Sequence, residues 1–264
     1  MSIHRDARRA AARLALALSA PALLLGARAL AAPEEIEVYR DDVTATGDWG
    51  LEVNQNYVVS GPADDERSGA LDPVGLYRLT PELDFGVAKD WEAGMLVEAA
   101  GQDGDFGLHG AMAHVRYVAS SPGRSWYWGF NFEAGYTDAR LADRPYSAEL
   151  RGIFGYEGRR WIFAVNPTLE TAAGRGGTEP VSFEMQSKLG YRLTDGLLVG
   201  LESYNELGPV RGFQPPGRQP QTLYAASDYE WRGLELNLGV GRGLTRTSDG
   251  WILKTVISIP FGPW

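Results

Sequence analysis

The chain has 264 residues, 33 glycines, eight tryptophans, no cysteine and a formal charge of −9. Without cysteine it has no disulfide framework and no thiolate metal site. An acidic chain lacks the basic face that phosphate contact needs, so nucleic acid is not an expected partner.

Residues 1–32 read as a cleavable secretory signal. Arg5, Arg8, Arg9 and Arg13 form a basic start, and an apolar stretch follows from Leu14 to Leu25. That stretch is too short for a spanning helix. Ala29-Leu30-Ala31 supplies a small-x-small cleavage site. Five arginines against Asp6 put this leader at +4, so the remainder carries about −13 (−9 less +4). Residues 33–48 are expected to be a periplasmic N-terminal segment, with residues 49–264 forming one domain.

From Trp49 onward the dominant pattern has a period of two, the signature of strands with unlike faces. Trp49, Leu51, Val53, Tyr57 and Val59 share one parity, with Glu52, Asn54 and Asn56 on the other. Tyr77 to Val87 sets Leu79, Leu83 and Phe85 against Arg78, Glu82 and Asp84. Trp91, Met95 and Val97 oppose Glu92 and Glu98. Ala111 to Tyr117 opposes His114 and Arg116. Trp126 to Tyr136 opposes Asn131 and Glu133, and Tyr146 to Tyr156 opposes Glu149 and Arg151. Trp161 to Leu169 opposes Asn166 and Glu170, and Val181 to Tyr191 opposes Glu184, Gln186 and Lys188. Leu197 to Leu201 opposes Glu202, Tyr204 and Glu206, and Leu223 to Trp231 opposes Asp228 and Glu230. Leu234 to Val240 opposes Glu235 and Asn237, and Trp251 to Phe261 opposes Lys254 and Ser258.

About twelve such segments, each near ten residues, match tilted strands that cross a bilayer. Links alternate along the chain. Short ones fall at 88–90, 119–125, 158–160, 193–196 and 232–233. Longer ones fall at 60–76, 100–107, 138–145, 171–180, 207–220 and 244–250. A Greek-key sandwich has no reason to keep that order. Trp49, Trp91, Tyr117, Trp126, Tyr156, Trp161, Tyr191, Trp231 and Phe261 all lie at the short-turn end of their strands on the apolar parity, as an aromatic girdle would. A soluble core explains buried tryptophan equally well but not its clustering beside one set of turns. The other parity is crowded with charge. Hydrocarbon outside and water inside suits both faces, and closure leaves no unpaired edge.

The expected fold is therefore all-β. It is a closed antiparallel up-and-down transmembrane β-barrel of about 12 strands, with short periplasmic turns and longer extracellular loops. The expected location is the outer membrane of a Gram-negative cell. Lumen-facing candidates are Glu52, Arg78, Glu82, Glu98, His114, Arg116, Glu133, Glu149, Arg151, Glu170, Glu184, Lys188, Glu202, Glu230 and Lys254. Carboxylates outnumber cations there, so an open pore would favour cations. Alternatively, pairs such as Glu149 or Glu184 with Arg151 or Lys188 would plug it. Ile257, Ile259 and Phe261 are similar to the terminal strand by which barrel-assembly machinery recognises its clients.

Several stretches resemble an uncharacterised proteobacterial family of outer-membrane β-barrels. They are Glu35-Ile36-Glu37-Val38-Tyr39, Trp49 to Tyr57, Tyr146 to Arg151, Val165-Asn166-Pro167, Gln221 to Tyr224 and Gly239 to Thr245. A looser likeness is to barrels named for phenol-degradation pathways or transport. The resemblance implies a fold and a location, and it brings no catalytic residue and no substrate.

Other chemistry is weakly signalled. His109 and His114 have no serine at close spacing, so a lipid-modifying barrel enzyme is the least favoured function. Asp64-Asp65-Glu66 and Asp103-Gly104-Asp105 read as solvated loop charges rather than calcium ligands. Gly239 to Gly243 lacks the following helix that a phosphate cradle requires. No cofactor and no metal site are expected. The expected partners are outer-membrane lipid, the assembly machinery and a small solute. The favoured function is a narrow passive channel or transporter, and the alternative is a non-conducting structural or surface-interaction barrel.

Overall fold

The computed structural model describes residues 35–62, 69–119 and 125–261. The expected signal peptide, the Asp64-Asp65-Glu66 cluster and most of the 119–125 link lie outside them.

Thirteen strands are present among the described residues: β1 (Trp49–Ser60), β2 (Tyr77–Ala88), β3 (Trp91–Gln102), β4 (Asp105–Ala119), β5 (Trp126–Thr137), β6 (Tyr146–Glu157), β7 (Trp161–Gly174), β8 (Gly177–Thr178), β9 (Ser182–Thr194), β10 (Leu197–Pro209), β11 (Gln221–Trp231), β12 (Leu234–Gly243) and β13 (Trp251–Phe261). Twelve of them pair with their neighbours in sequence, always antiparallel. β1 also pairs with β13, with Trp49 opposite Phe261 and Tyr57 opposite Leu253, and this closes the ring. β8 is a two-residue ribbon that extends β7 beyond the wall. The protein is an up-and-down β-barrel. Among the described residues no helix is long and apolar enough to cross a membrane.

Alternation places the side chains. In β5, Trp126, Trp128 and Phe132 are exposed on the outer face while Asn131 and Glu133 are buried inside. The same rule runs round the ring.

The two ends differ. At one end the links are tight. β11 and β12 are joined by Arg232 and Gly233, both at positive φ, the two-residue turn whose twist matches antiparallel strands. Trp49, Trp91, Trp126, Trp161, Trp231 and Phe261 are exposed on the outer face beside these turns, and Tyr117, Tyr156 and Tyr191 are half-buried there. Cross-strand partners meet in tilted or edge-on ring contacts: Trp49 with Phe85 at 4.9 Å, Trp91 with Tyr117 at 4.8 Å, Trp126 with Tyr156 at 5.0 Å and Trp161 with Tyr191 at 4.8 Å. A second aromatic band, unforeseen in the sequence, circles the other end. It includes Tyr57, Phe106, Tyr136, Tyr146 and Phe213, with Tyr136 and Tyr146 in contact at 5.8 Å. Ten residues separate Trp126 from Tyr136. At the usual strand rise and barrel tilt, that is roughly 25 Å along the axis.

Two of the longer links are strand ribbons rather than irregular loops. β3 and β4 continue outward to a two-residue turn at Asp103 and Gly104, both at positive φ. Residues 171–180 largely extend β7 and fold back through β8.

Residues 33–48 were expected in the periplasm, but the described part of this segment runs inside the barrel. Glu35, Ile36, Val38 and Tyr39 are buried. Ile36 packs on Val58, Tyr224 and Ile252, while Tyr39 packs on Val118, Tyr127 and Ile153, which belong to a different arc of the wall. Only a segment within the lumen can reach both. The physical reason for the difference is that Ile36 and Val38 are apolar and gain by burial. Glu35 and Glu37 resemble loop charges until the wall supplies partners.

Candidate functional site

The lumen is the candidate site, and the segment 35–48, hereafter the strap, divides it. The Asn166 side chain holds the strap as a strand would. Its Oδ1 accepts the Tyr39 N–H at 2.7 Å, and its Nδ2 donates to the Tyr39 carbonyl at 3.1 Å. The Tyr39 ring lies between two guanidiniums, with Arg116 3.8 Å and Arg151 4.5 Å from its centroid. Such contacts gain strength when desolvated. Lys254 Nζ donates to the Ile36 carbonyl at 2.8 Å, and the Thr44 N–H donates to Glu92 at 2.7 Å. Arg40 reaches Glu157 on β6 at 3.9 Å and Glu235 on β12 at 3.8 Å. Those strands stand nearly opposite in the ring, so Arg40 crosses the mouth at the short-turn end.

Charges on the strap respond to this setting. Burial would raise the Asp42 carboxyl, but Arg40 and Arg116 outweigh it and hold the group below the usual carboxylate range. Burial pushes Glu37 above its ordinary value, although a hydrogen bond with Glu52 partly offsets this.

Around the middle of the lumen the wall is internally paired. Glu202 is 1% exposed and sits between Lys188, at 3.0 Å, and Lys254. Tyr204 donates to Glu202 at 2.9 Å, and Lys188 also meets Asp228 at 2.7 Å. Nearer the short-turn mouth, Arg116 pairs with Glu92 at 3.1 Å, and Arg192 pairs with Glu157.

The half beneath the long loops is different. It encloses a cavity of about 120 Å³ lined by Glu133, Glu149, Glu170, Glu184, Glu206 and Asp249 of the wall and by Glu35 and Glu37 of the strap. Arg151 is the one cation among the lining residues, and Glu149 already engages it at 2.8 Å. Acidic side chains thus outnumber cations in this lining.

The structure spreads the fifteen lumen candidates over these settings. Glu133, Glu149, Arg151, Glu170 and Glu184 line the cavity. Lys188, Glu202 and Lys254 form the central network. Glu52 accepts from Ser258 at 2.9 Å, and Glu98 accepts from Thr137 at 2.6 Å. Arg78, Glu82, His114 and Arg116 belong to the β2–β4 wall; Arg78, Glu82 and His114 are buried there and Arg116 half-buried. Glu230 is a correction. It has inward parity but is exposed, because its position next to the turn at Arg232 puts it at the rim. His109 is apart from the rest, held by Asp138 at 3.0 Å under the long loops.

Sequence reasoning missed the strap's carboxylates and Asp249. Asp249 is placed by the fold rather than by any pattern in the sequence. Thr247, Ser248 and Asp249 are buried although they lie in a connecting loop, and Ser248 bonds both the N–H and the carbonyl of Gln221, which turns the loop inward.

No family model matches the chain, and no curated protein matches it in sequence. Solved structures do resemble it in fold. The COG4313 outer membrane channel from Pseudomonas putida F1 superposes with a TM-score of 0.60 at 11% identity, covering 86% of this chain and 100% of that one. The NanC porin gives 0.54 at 9% identity, covering 81% and 100%. The KdgM porin in complex with disordered oligogalacturonate gives 0.54 at 8% identity, covering 81% and 99%. At such identities the likeness is one of fold.

Proposed function

We propose that this chain is a narrow outer-membrane channel for small solutes that favours cations, with its short turns in the periplasm and its strap occluding that mouth at rest. The observation that carries the reading is the inverted distribution of polarity. Charges are buried inside, while Trp126 is 69% and Trp161 54% exposed on the outside. An apolar belt of this extent is unfavourable in water and natural in hydrocarbon, where a closed ring of strands satisfies every backbone group. The aromatic bands, roughly 25 Å apart, suit the two interfaces of such a membrane.

The cation preference follows from the cavity. KdgM is seen with oligogalacturonate, a polyanion. A chamber with eight carboxylates and one guanidinium suits the opposite charge.

The test is conductance of the purified full chain in planar bilayers under a salt gradient. Discrete steps with a cation-selective reversal potential are expected. Neutralising Glu170 and Glu184 together to Gln should lower the cation-to-anion ratio several-fold. A second reading, a barrel that does not conduct and acts through its loops, is favoured by the strap's occupancy of the mouth. Absence of steps at every voltage, in the native chain and in Asn166→Ala alike, would rule out the channel and leave that reading.

A further inference from the structure

Away from the cavity, the β2–β4 wall brings together Glu82, Asp84 and His114, all buried, with donor atoms within 4.8 Å of one another. Register explains the meeting. Asp84 pairs with Gly94, and Gly94 pairs with His114, so a single β3 residue separates two side chains on the same face. That residue has no side chain. A Cβ at Gly94 would run into the Asp84 carboxylate and the His114 ring. Asp84 and His114 therefore meet over bare backbone. His114 Nε2 lies 3.1 Å from Asp84 Oδ1, and Nδ1 lies 3.3 Å from Glu82 Oε1.

Proximity has not produced hydrogen bonds. Both ring nitrogens of His114, both oxygens of Glu82 and Asp84 Oδ1 are buried without an aligned partner. Five such atoms in one place are costly, and native interiors seldom leave them so. Arg116 does not relieve them. It is 3.7 Å from Glu82, and its nearer contact is Glu92.

We propose that Glu82, Asp84 and His114 bind one divalent transition-metal ion, with zinc the best chemical fit. Two carboxylates and a neutral imidazole balance a double positive charge. An imidazole in the donor set favours zinc over calcium or magnesium. His114 Nε2 and Asp84 Oδ1, 3.1 Å apart, match the edge of a zinc coordination polyhedron with bonds of about 2.0–2.2 Å, and Glu82, with the donors all within 4.8 Å of one another, reaches the ion by a side-chain shift. The ring nitrogen that does not ligate keeps its proton, so the imidazole binds in its neutral form. The ion would tie β2 to β4 across β3, behind the strap residues that rest on Glu92 and Arg116.

The test is zinc content after refolding the full chain in detergent with zinc and removing excess metal on a desalting column. About one equivalent per chain is expected in the native sequence, and close to none in His114→Ala and in Asp84→Asn. His109→Ala alters the other histidine among the described residues and should retain full zinc, which separates this site from adventitious binding beside Asp138. Each variant's folding is checked by heat-modifiable gel migration. Cobalt loading of the native chain gives a readout independent of the variants, visible d–d absorption that zinc abolishes. Failure of the native chain to retain zinc, equal retention in folded His114→Ala, or no cobalt absorption would each overturn the site.

Discussion

The two halves of the lumen are made from the same residue types and do different things. From the middle to the short-turn mouth, carboxylates and cations alternate in space. Glu202 lies between Lys188 and Lys254, Arg116 faces Glu92, and Arg40 spans Glu157 and Glu235. Under the long loops the cavity lining holds eight acidic side chains and one guanidinium. Paired charge acts as mortar between strands, and an excess of acidic groups lines the cavity. The contrast teaches that a count of inward charges says little about a lumen until their partners are known.

Glu202→Ala should have the largest effect. It leaves two buried ammonium groups without their shared carboxylate, at a cost of about 3–5 kcal/mol. Glu184→Ala, among like charges in the cavity, should cost less than about 1 kcal/mol. Urea unfolding followed by tryptophan fluorescence measures both, and equal costs would erase the distinction between the halves. Asn166→Ala comes next. Loss of its two bonds to Tyr39 should weaken the strap's hold by about 2 kcal/mol, shifting its equilibrium roughly thirtyfold toward release. The readout is open probability in bilayers. The smallest effect concerns pH. Burial raises Glu37 above 4.5, so its contribution to strap binding is complete below that value and is lost as pH rises through the raised one. Open probability should climb over that interval, and Glu37→Gln should flatten the rise.

Much of the wall was legible. Period-two alternation gave the twelve strands and their faces, because a barrel wall obeys one local rule at every position. What stayed hidden depends on register between strands. Nothing local in Asp84 or His114 announces their meeting, which needs two pairings and a bare Gly94 between them. The strap was misplaced because Glu35 to Tyr39 alternates like a strand yet pairs with no strand; its partners are side chains such as Asn166, and no periodicity reports those. The turn between β3 and β4 was legible and passed over. Asp103-Gly104 is a strong two-residue hairpin signal, read instead as loop acidity.

The strap is also joined to the vessel it closes. Only the few residues from Thr44, fixed on Glu92, to Trp49 separate it from the wall. A leash so short sets an effective local concentration on the order of millimolar or above. Seating of this segment in the lumen is therefore a unimolecular property of each barrel, indifferent to dilution, and the same peptide added from solution would compete poorly for its seat.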